Sequence, residues 1–198
     1  MRQEEKTLRM KTDFGVYHHT SQTASKEIRE VVKIMFTNAF ASLPFSSDDK
    51  LKILDVGCGL GFLSCVSAEF YKNARITGID TFKHASLKDS SLEKAKENAK
   101  ILGFADRIDF EKSDVLTFAP TGEFDLIVSN LVFHNLGERR FDAYERLARW
   151  AKSYVILGDL FFDYETDLKS LSKLFANVKE RPSPTMNGQY KILEISKN

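Results

Sequence analysis

One acidic and three glycine residues in a short stretch of this sequence are suited to hold a polar ligand. Gly57, Gly59 and Gly61 alternate along ILDVGCGLGF, and Asp55 precedes the first of them by two residues. Glycine has no side chain, so a backbone with this spacing can turn tightly and approach a ligand closely. A nicotinamide-dinucleotide fingerprint, Gly-x-Gly-x-x-Gly, would need its third glycine where this chain has Phe62. The spacing therefore favours a ligand of another class.

The regular elements that must position this loop follow from hydrophobic patterning. From Leu51 onward, short runs rich in Ile and Val alternate with segments of helical period. Alternation of this kind predicts an α/β fold with a mostly parallel sheet and helices on both faces. Five runs are predicted as strands, at 51–56, 75–80, 107–112, 124–129 and 153–158.

The two ends of the chain supply the remaining elements. Apolar residues between Ile28 and Phe40 recur at helical spacing, which predicts an amphipathic helix that stops near Pro44. A last helix around 165–176 precedes two short strands, near 177–181 and at 189–195. The connection between these strands contains Pro182, Ser183, Pro184 and the Asn187-Gly188 pair and is short, so we expect an antiparallel strand at one edge of the sheet.

The glycine loop and the predicted strand ends together resemble the class I S-adenosylmethionine-dependent methyltransferases. DVGCGLG, at 55–61, is similar to the first motif of that family, and the resemblance covers about residues 51–160. It implies a Rossmann-like, seven-stranded sheet, mostly parallel with one antiparallel edge strand, and methyl transfer from S-adenosyl-L-methionine. It also implies one methyltransferase domain over 1–198, with an N-terminal arm and helix at 1–45 as an acceptor-side lid and a cofactor-binding core at 46–198.

The resemblance also assigns roles to individual residues. Asp80 would accept both ribose hydroxyls, since one carboxylate can hold a vicinal diol with its two oxygens. Asp55 would orient the loop and reach toward the cofactor's amino group, and Asp114 would bind the adenine amino group. The cofactor is a cation without pyrophosphate, so acids around the loop are tolerable. The implied cofactor-binding set, in which Thr81 and Phe82 pack on adenine, is Asp55, Gly57, Cys58, Gly59, Gly61, Asp80, Thr81, Phe82, Asp114, Val115 and Asn130.

Asn130 and His134, in FDLIVSNLVFHNL, are the candidate catalytic residues. Methyl transfer needs a base only when the nucleophile must lose a proton. His134 is a candidate for that base or for an acceptor-orienting group, and its alternative role is that of a partly buried histidine at a helix start. Amine-methylating members of the family carry Asn-Pro-Pro-Tyr or a close variant here. This chain has Asn130, Leu131, Val132 and Phe133, and the missing prolines oppose that mechanism.

Charge and composition bear on the partners. The chain has 29 Lys and Arg against 28 Asp and Glu in 198 residues, a balance that opposes a general polyanion binder. We expect a small-molecule methyl acceptor, with RNA or a protein amino group as alternatives, while the oligomeric state is left open. Cys58 and Cys65 lack the spacing of a metal site, so no metal is expected. The sequence shows neither a signal-peptide pattern nor an apolar run of membrane-spanning length, so we expect a cytoplasmic protein without a membrane partner.

The sequence also leaves two alternative functions and the role of the first 20 residues to be decided. A non-catalytic relative would keep the fold as a binding or scaffold protein, and a nicotinamide oxidoreductase is opposed by Phe62. Residues 1–20 are polar and predict a mobile lead-in. Tyr17, His18 and His19 close that segment, and their role is either to cover the cofactor or to be solvated polar side chains.

Overall fold

The predicted alternation of strands and helices is confirmed by a computed structural model that describes residues 11–182 and 189–197. The strands are β1 (Lys52–Val56), β2 (Arg75–Asp80), β3 (Ile108–Lys112), β4 (Phe124–Asn130), β5 (Ala151–Leu160), β6 (Asn177–Arg181) and β7 (Tyr190–Ser196). The helices are α1 (Gln22–Ser42), α2 (Phe62–Phe70), α3 (Leu92–Ile101), α4 (Arg140–Trp150) and α5 (Tyr164–Leu174). A 3₁₀ segment (Phe133–Arg139), kinked at Gly137, follows β4.

The strands form one sheet in the order β3-β2-β1-β4-β5-β7-β6. β1 to β5 pair in parallel, and β7 is antiparallel to both β5 and β6. This arrangement confirms the Rossmann-like fold with antiparallel pairing at one edge. β7 lies between β5 and β6, so β6 is the outermost strand on that side. The predicted connection through Ser183, Pro184 and Asn187-Gly188 lies outside the described residues. No helix in the described part of the chain is both long and apolar enough to cross a membrane.

Helices cover both faces of the sheet, so the central strands are buried on both sides. In β4, Leu126 and Val128 face the cluster formed with α1, α2 and α3, whereas Ile127 faces the cluster formed with α4 and α5. A strand that is buried on both faces has a continuous apolar sequence, and β4 shows this pattern. Phe36 on α1 and Leu147 on α4 are fully buried, and each such side chain contributes roughly 1.5–3 kcal/mol to folding.

Asn98 fixes the segment before α1 to the core. This side chain is 3% exposed. Its Oδ1 accepts from Asp13 N at 2.9 Å, and its Nδ2 donates to Asp13 O at 2.8 Å and to Leu60 O at 3.0 Å. The chain from Asp13 onward is therefore docked, whereas the sequence predicted a mobile lead-in over 1–20. The physical reason is that one amide satisfies both backbone groups of Asp13, and residues 1–10 lie outside the described part of the chain.

Arg29 completes the anchoring of this segment. The side chain, on α1, is 8% exposed. Its Nη2 donates to Phe14 O at 2.5 Å and to Gly15 O at 2.7 Å, and the guanidinium lies 4.5 Å from the centre of the Tyr17 ring. We call residues 13–17 the arm. Tyr17 also forms an antiparallel bridge with Leu87, in the segment after β2. The arm is thus held from α1, α3 and the segment after β2.

Removal of the Asn98 amide should loosen the arm. In Asn98→Ala, the backbone groups of Asp13 lose their partners, so we expect the free energy of unfolding to fall by about 1–3 kcal/mol. Urea denaturation measures this change, and faster tryptic cleavage after Lys11 would report release of the arm. Asn38→Ala, at an exposed position of α1, is the matched control. Unchanged stability and unchanged cleavage would show that Asn98 does not anchor the arm.

Candidate cofactor and acceptor site

The loop between β1 and α2 requires its glycines for two separate reasons. Gly57, Gly59 and Gly61 have φ angles of 72°, 52° and 82°, in the left-handed region that glycine adopts at low cost. A Cβ at Gly57 would overlap the side chain of Val132, and one at Gly61 would lie 2.7 Å from Phe110 Cζ. The loop is therefore packed closely against β3 and against the segment that follows β4.

Asp80 ties the glycine loop to the segment after β2. Its Oδ2 accepts from Gly59 N at 3.0 Å and its Oδ1 accepts from Phe82 N at 2.6 Å. Each carboxylate oxygen keeps a second lone pair, so the bound geometry leaves room for hydroxyl donors from a ligand. Phe82 follows with φ of 54°, a strained value for a non-glycine residue. Thr81 and Phe82 are half-buried beside this carboxylate.

Asp55 lies behind the loop. The side chain is 1% exposed, and its Oδ2 accepts from Ser64 Oγ, on α2, at 2.5 Å. Burial raises the pKa of Asp55 to about 7; the Ser64 hydrogen bond opposes this shift and the charge of Asp80 adds to it. Asp55 therefore joins the end of β1 to α2 behind the loop, and its expected role in orienting the loop stays a prediction. A direct contact with the cofactor's amino group stays a prediction.

The other predicted cofactor residues have structural partners of their own. Asp114 Oδ1 accepts from Leu116 N at 2.9 Å, which is the local turn contact of an aspartate after a strand. Val115 is buried. Cys58 is buried in the loop and burial raises the pKa of its thiol, so this residue packs and does not present a thiolate. Cys58 and Cys65 are both free thiols.

The strand end at Asn130 is built differently from a proline-rigidified turn. Leu131 adopts φ of 59°, and its N–H donates to Gly158 O, on β5, at 2.8 Å. The hydroxyl of Tyr190, at the start of β7, donates to Asn130 Oδ1 at 2.7 Å. The left-handed residue and these two cross-strand bonds shape the turn where the sequence lacks both prolines.

Asp159 organises the residues after β4. It is 2% exposed at the end of β5, and its Oδ2 accepts from Val132 N at 3.2 Å and from Phe133 N at 2.7 Å. Its Oδ1 lies 2.5 Å from His134 Nδ1. The carboxylate thus caps the 3₁₀ segment and fixes the orientation of the imidazole. Asp159 was not among the predicted site residues, although an acid at a parallel-strand end is the signal that had singled out Asp80.

His134 faces a cavity of about 290 Å³ between the 3₁₀ segment and the end of β5. Its side chain is 16% exposed. Aromatic residues Phe133, Phe161 and Phe162 form part of the wall. Phe162 is 67% exposed, and its ring centre lies 6.1 Å from that of His134 in an edge-to-face arrangement. The cavity therefore combines one imidazole with aromatic side chains and with charged residues, Glu138, Arg140, Asp159, Asp163 and Asp167.

The adjacent histidines His18 and His19 do not assemble into a further site. His18 and His19 are exposed, with ring centres 3.6 Å apart. Among the described residues, no group of three or more His, Cys, Asp or Glu side chains has a metal-binding arrangement. Arg140, the first residue of α4, is directed inward, since its Nε donates to Asp167 Oδ1, on α5, at 2.6 Å.

Comparison with known proteins identifies the family. The profile described as "Methyltransferase domain" matches residues 47–191, which is most of the chain. This chain belongs to the class I S-adenosylmethionine-dependent methyltransferases. The cofactor of this methyltransferase is S-adenosyl-L-methionine. The site fits that cofactor, because the glycine loop exposes backbone at the sheet edge and the paired oxygens of Asp80 lie beside it.

The sequence relatives differ in their acceptors. A tRNA1(Val) (adenine(37)-N6)-methyltransferase from Vibrio campbellii is 34% identical over 98 residues, covering 50% of this chain and 38% of that one. A trans-aconitate 2-methyltransferase from Streptomyces avermitilis is 31% identical over 137 residues, covering 69% of this chain and 47% of that one. The matched segments thus span less than half the length of these relatives.

A solved structure confirms the fold. The magnesium protoporphyrin IX methyltransferase of Synechocystis, with S-adenosylmethionine bound, aligns with a TM-score of 0.64 and 21% identity. The alignment covers 91% of this chain and 86% of that one. At this identity the likeness supports the architecture, and the acceptor has to be argued from the site.

Loss of the Asp80 carboxylate should abolish tight cofactor binding. In Asp80→Ala, both the diol acceptor and the bond to Gly59 N disappear, and charge-assisted hydrogen bonds contribute about 1.5–3 kcal/mol each. We expect the Kd for S-adenosylmethionine to rise at least about tenfold, as measured by calorimetry. Asp109→Ala, at an exposed position of β3, should bind like the parent. A parent-like Kd for Asp80→Ala would contradict the assignment.

Asp55 should make stability pH-dependent. Its pKa is about 7 in the folded protein against an ordinary value of 3.8. Between these values the unfolded chain has lost a proton that the folded protein keeps, so the free energy of unfolding falls as pH rises from about 4 to about 7. Asp55→Asn should make this decrease in the free energy of unfolding smaller by on the order of 1–4 kcal/mol. Urea denaturation at pH 5 and pH 8 measures it. A slope identical to that of the parent and of Asp109→Asn would refute the assignment.

Proposed function

We propose that this methyltransferase acts on a small-molecule acceptor, and that His134 takes the acceptor's proton. The observation that supports the proposal most directly is the His134–Asp159 pair in a cavity of about 290 Å³ that is lined by aromatic and charged side chains. The pair lies where β4 and β5 end, and open α/β sheets bind ligands at the carboxyl ends of their strands. A cavity of this size suits a compact ligand better than an extended polymer.

The contacts of His134 define its proton chemistry. Asp159 Oδ1 accepts from Nδ1, so the neutral imidazole carries its proton there and keeps the Nε2 lone pair for the cavity. The bound cofactor supplies a methyl group already activated by its sulfonium. As the acceptor's lone pair forms the bond to that methyl group, Nε2 would take the acceptor's proton, and the electron pair of the broken carbon–sulfur bond would stay on the cofactor's sulfur. Asp159 then stabilises the imidazolium by its negative charge.

The aromatic walls of the cavity contribute binding and exclusion of water. Phe161 is buried and Phe162 stands exposed at the rim, next to His134. An exposed phenyl ring in this position offers a flat apolar face to an acceptor. Displacement of water on binding strengthens the electrostatic contacts at His134.

We include the first residues of the chain in the proposal, as an acceptor-side lid over 1–45. The arm supports it, because its Tyr17 bridges to Leu87. Leu87 Cδ2 lies 3.0 Å from the position that a Cβ on Gly59 would take, so the arm and the segment after β2 lie over the glycine loop. The docked arm therefore lies where the cofactor end of the cleft meets the proposed acceptor side.

An RNA adenine acceptor is the second candidate. It is supported by the Vibrio campbellii relative and by an asparagine at the end of β4. It is opposed by the two missing prolines and by the balance of 29 basic against 28 acidic residues. The Streptomyces avermitilis relative is matched over a longer segment and is named as a trans-aconitate methyltransferase. It therefore supports a small-molecule acceptor.

A cytoplasmic location stays part of the proposal. It is supported by the two cysteines, Cys58 and Cys65, which are both free and buried. Unpaired cysteines are typical of reducing compartments.

The acceptor class is tested with methyl-labelled S-adenosylmethionine. The full chain is incubated with the label and with separate small-molecule, RNA and protein fractions of a cell extract. We expect label in the small-molecule fraction. Label confined to RNA or to protein would overturn the small-molecule proposal, and cofactor binding without label in any fraction would favour a non-catalytic relative.

His134→Ala should lower turnover and leave cofactor binding unchanged. General-base catalysis contributes typically about 10²–10⁴-fold, so we expect a loss of at least about 100-fold in kcat in the labelling assay, with the Kd for S-adenosylmethionine within about twofold of the parent value. His84→Ala, an exposed histidine that contacts Ser86, is the matched control. Unchanged turnover in His134→Ala would make the histidine structural.

A further inference from the structure

The side chain of Asn98, on α3, joins the arm to the glycine loop. Its Nδ2 donates to Asp13 O at 2.8 Å and to Leu60 O at 3.0 Å, and its Oδ1 accepts from Asp13 N at 2.9 Å. Leu60 lies between Gly59 and Gly61. These three bonds fix the orientation of the amide, because a flipped amide would direct its oxygen at two carbonyls and its NH₂ group at an N–H donor.

The three bonds explain why a polar side chain is tolerated in the interior of a helix. Asn98 is 3% exposed, and burial of an amide without partners costs about 1–3 kcal/mol. Asparagine is also a poor helix former. One hydrogen of Nδ2 is used on the arm and the other on the loop. The side chain is therefore fully hydrogen-bonded only while the arm is docked.

The arm also packs directly against the end of the glycine loop. A Cβ on Gly15 would lie 3.0 Å from Leu60 Cδ1 and 2.9 Å from Leu87 Cδ1. The ring of Phe14 lies 5.4 Å from that of Phe62, the first residue of α2, in an edge-to-face arrangement. The arm thus contacts both the loop and the helix that follows it.

Two side chains hold the backbone of the loop at consecutive residues. Asp80, the predicted ribose acceptor, accepts from Gly59 N at 3.0 Å, and Asn98 donates to Leu60 O at 3.0 Å. The glycines on either side of Leu60 both have positive φ, and glycine can rotate freely between backbone regions. The Asn98 bond therefore restricts the loop next to the point at which Asp80 holds it.

From these contacts we infer that Asn98 is a positioning residue for S-adenosylmethionine, which couples docking of the arm to the cofactor-binding conformation of the glycine loop. The cofactor binds the docked form more tightly and dissociates faster when the arm is released. The coupling is reciprocal, so bound cofactor stabilises the docked arm by the same factor. This coupling builds on the lid part of the proposed function and is independent of the acceptor.

Protection of the arm by the cofactor is measured on the parent protein. Trypsin is added to the full chain with and without S-adenosylmethionine, and mass spectrometry follows the cut after Lys11, an exposed residue just before Asp13. Cleavage there requires release of the neighbouring backbone, so its rate follows the undocked population. We expect saturating cofactor to slow this cut at least about fivefold. Equal rates with and without cofactor, or equal protection after the exposed Lys50 at the opposite end of β1, overturn the coupling.

Gly15→Val should release the arm while the Asn98 amide stays in place. A β-branched side chain at φ of 74° is strained, and it would collide with two leucine side chains. We expect the Kd for S-adenosylmethionine to rise by the factor by which the cofactor protects Lys11 in the parent, at least about fivefold, with faster dissociation in surface plasmon resonance. Gly122→Val, at a glycine with open space around its Cβ position, should bind like the parent. Faster cleavage after Lys11 with an unchanged Kd overturns the coupling.

Asn98→Ala tests whether the amide carries the coupling. We expect its Kd for S-adenosylmethionine to rise at least about fivefold, whereas Asn38→Ala, at an exposed position of α1, should bind like the parent. Adding Gly15→Val to Asn98→Ala should cause no further loss, because the arm then no longer acts on the loop. A further loss as large as that of Gly15→Val alone would show that the arm and the amide act independently, and it refutes the positioning role. If Asn98→Ala does not fold, the protection of Lys11 and the Kd of Gly15→Val still decide.

These binding measurements contain no acceptor, so they fail separately from the proposed function. Methyl label found in RNA would overturn the small-molecule acceptor and leave the coupling standing. If Gly15→Val raises the KM for the acceptor in the labelling assay while the Kd for S-adenosylmethionine is unchanged, the arm is a lid for the acceptor alone and the coupling is refuted.

Discussion

Parallel pairing of β1 with both of its neighbours is the constraint on which the site depends. Asp55 is in register with Gly78 on β2 and with Val128 on β4. This register brings the ends of three strands to one edge, so Asp80 and Asn130 flank the glycine loop although they are far apart in sequence. A slip of one residue would turn every side chain of a strand to the opposite face.

Two carboxylates then hold the loops at that edge. Asp80 accepts from the backbone of the glycine loop and of its own following segment, and Asp159 accepts from two consecutive N–H groups after β4. Phe82 and Leu131, with positive φ, lie in the segments held in this way. Such conformations cost on the order of 1–3 kcal/mol each and persist where surrounding bonds determine them. Phe82 lies on the cofactor side of the cleft and Leu131 on the acceptor side, so both sides contain a strained residue.

The two sides of the cleft differ in chemistry. On the cofactor side, the carboxylate of Asp80 lies beside the glycine loop and suits a cationic ligand. On the acceptor side, the carboxylate of Asp159 is enclosed by donors from His134 and from the backbone. The proposed acceptor thus meets an imidazole, while Asp159 behind it fixes the orientation of the ring.

Much of this arrangement was determined by the sequence itself. The alternation of apolar runs predicted the sheet, because periodicity is a local property. The glycine spacing together with Asp55 and Asp80 carried the resemblance to the family, and that resemblance implied the cofactor. Only the tertiary structure decided the partners of those residues. The contacts Asp13–Asn98, Asn130–Tyr190 and His134–Asp159 join residues 85, 60 and 25 positions apart. Such pairs depend on strand order and register, which bring distant residues together and leave no periodic signal in the chain.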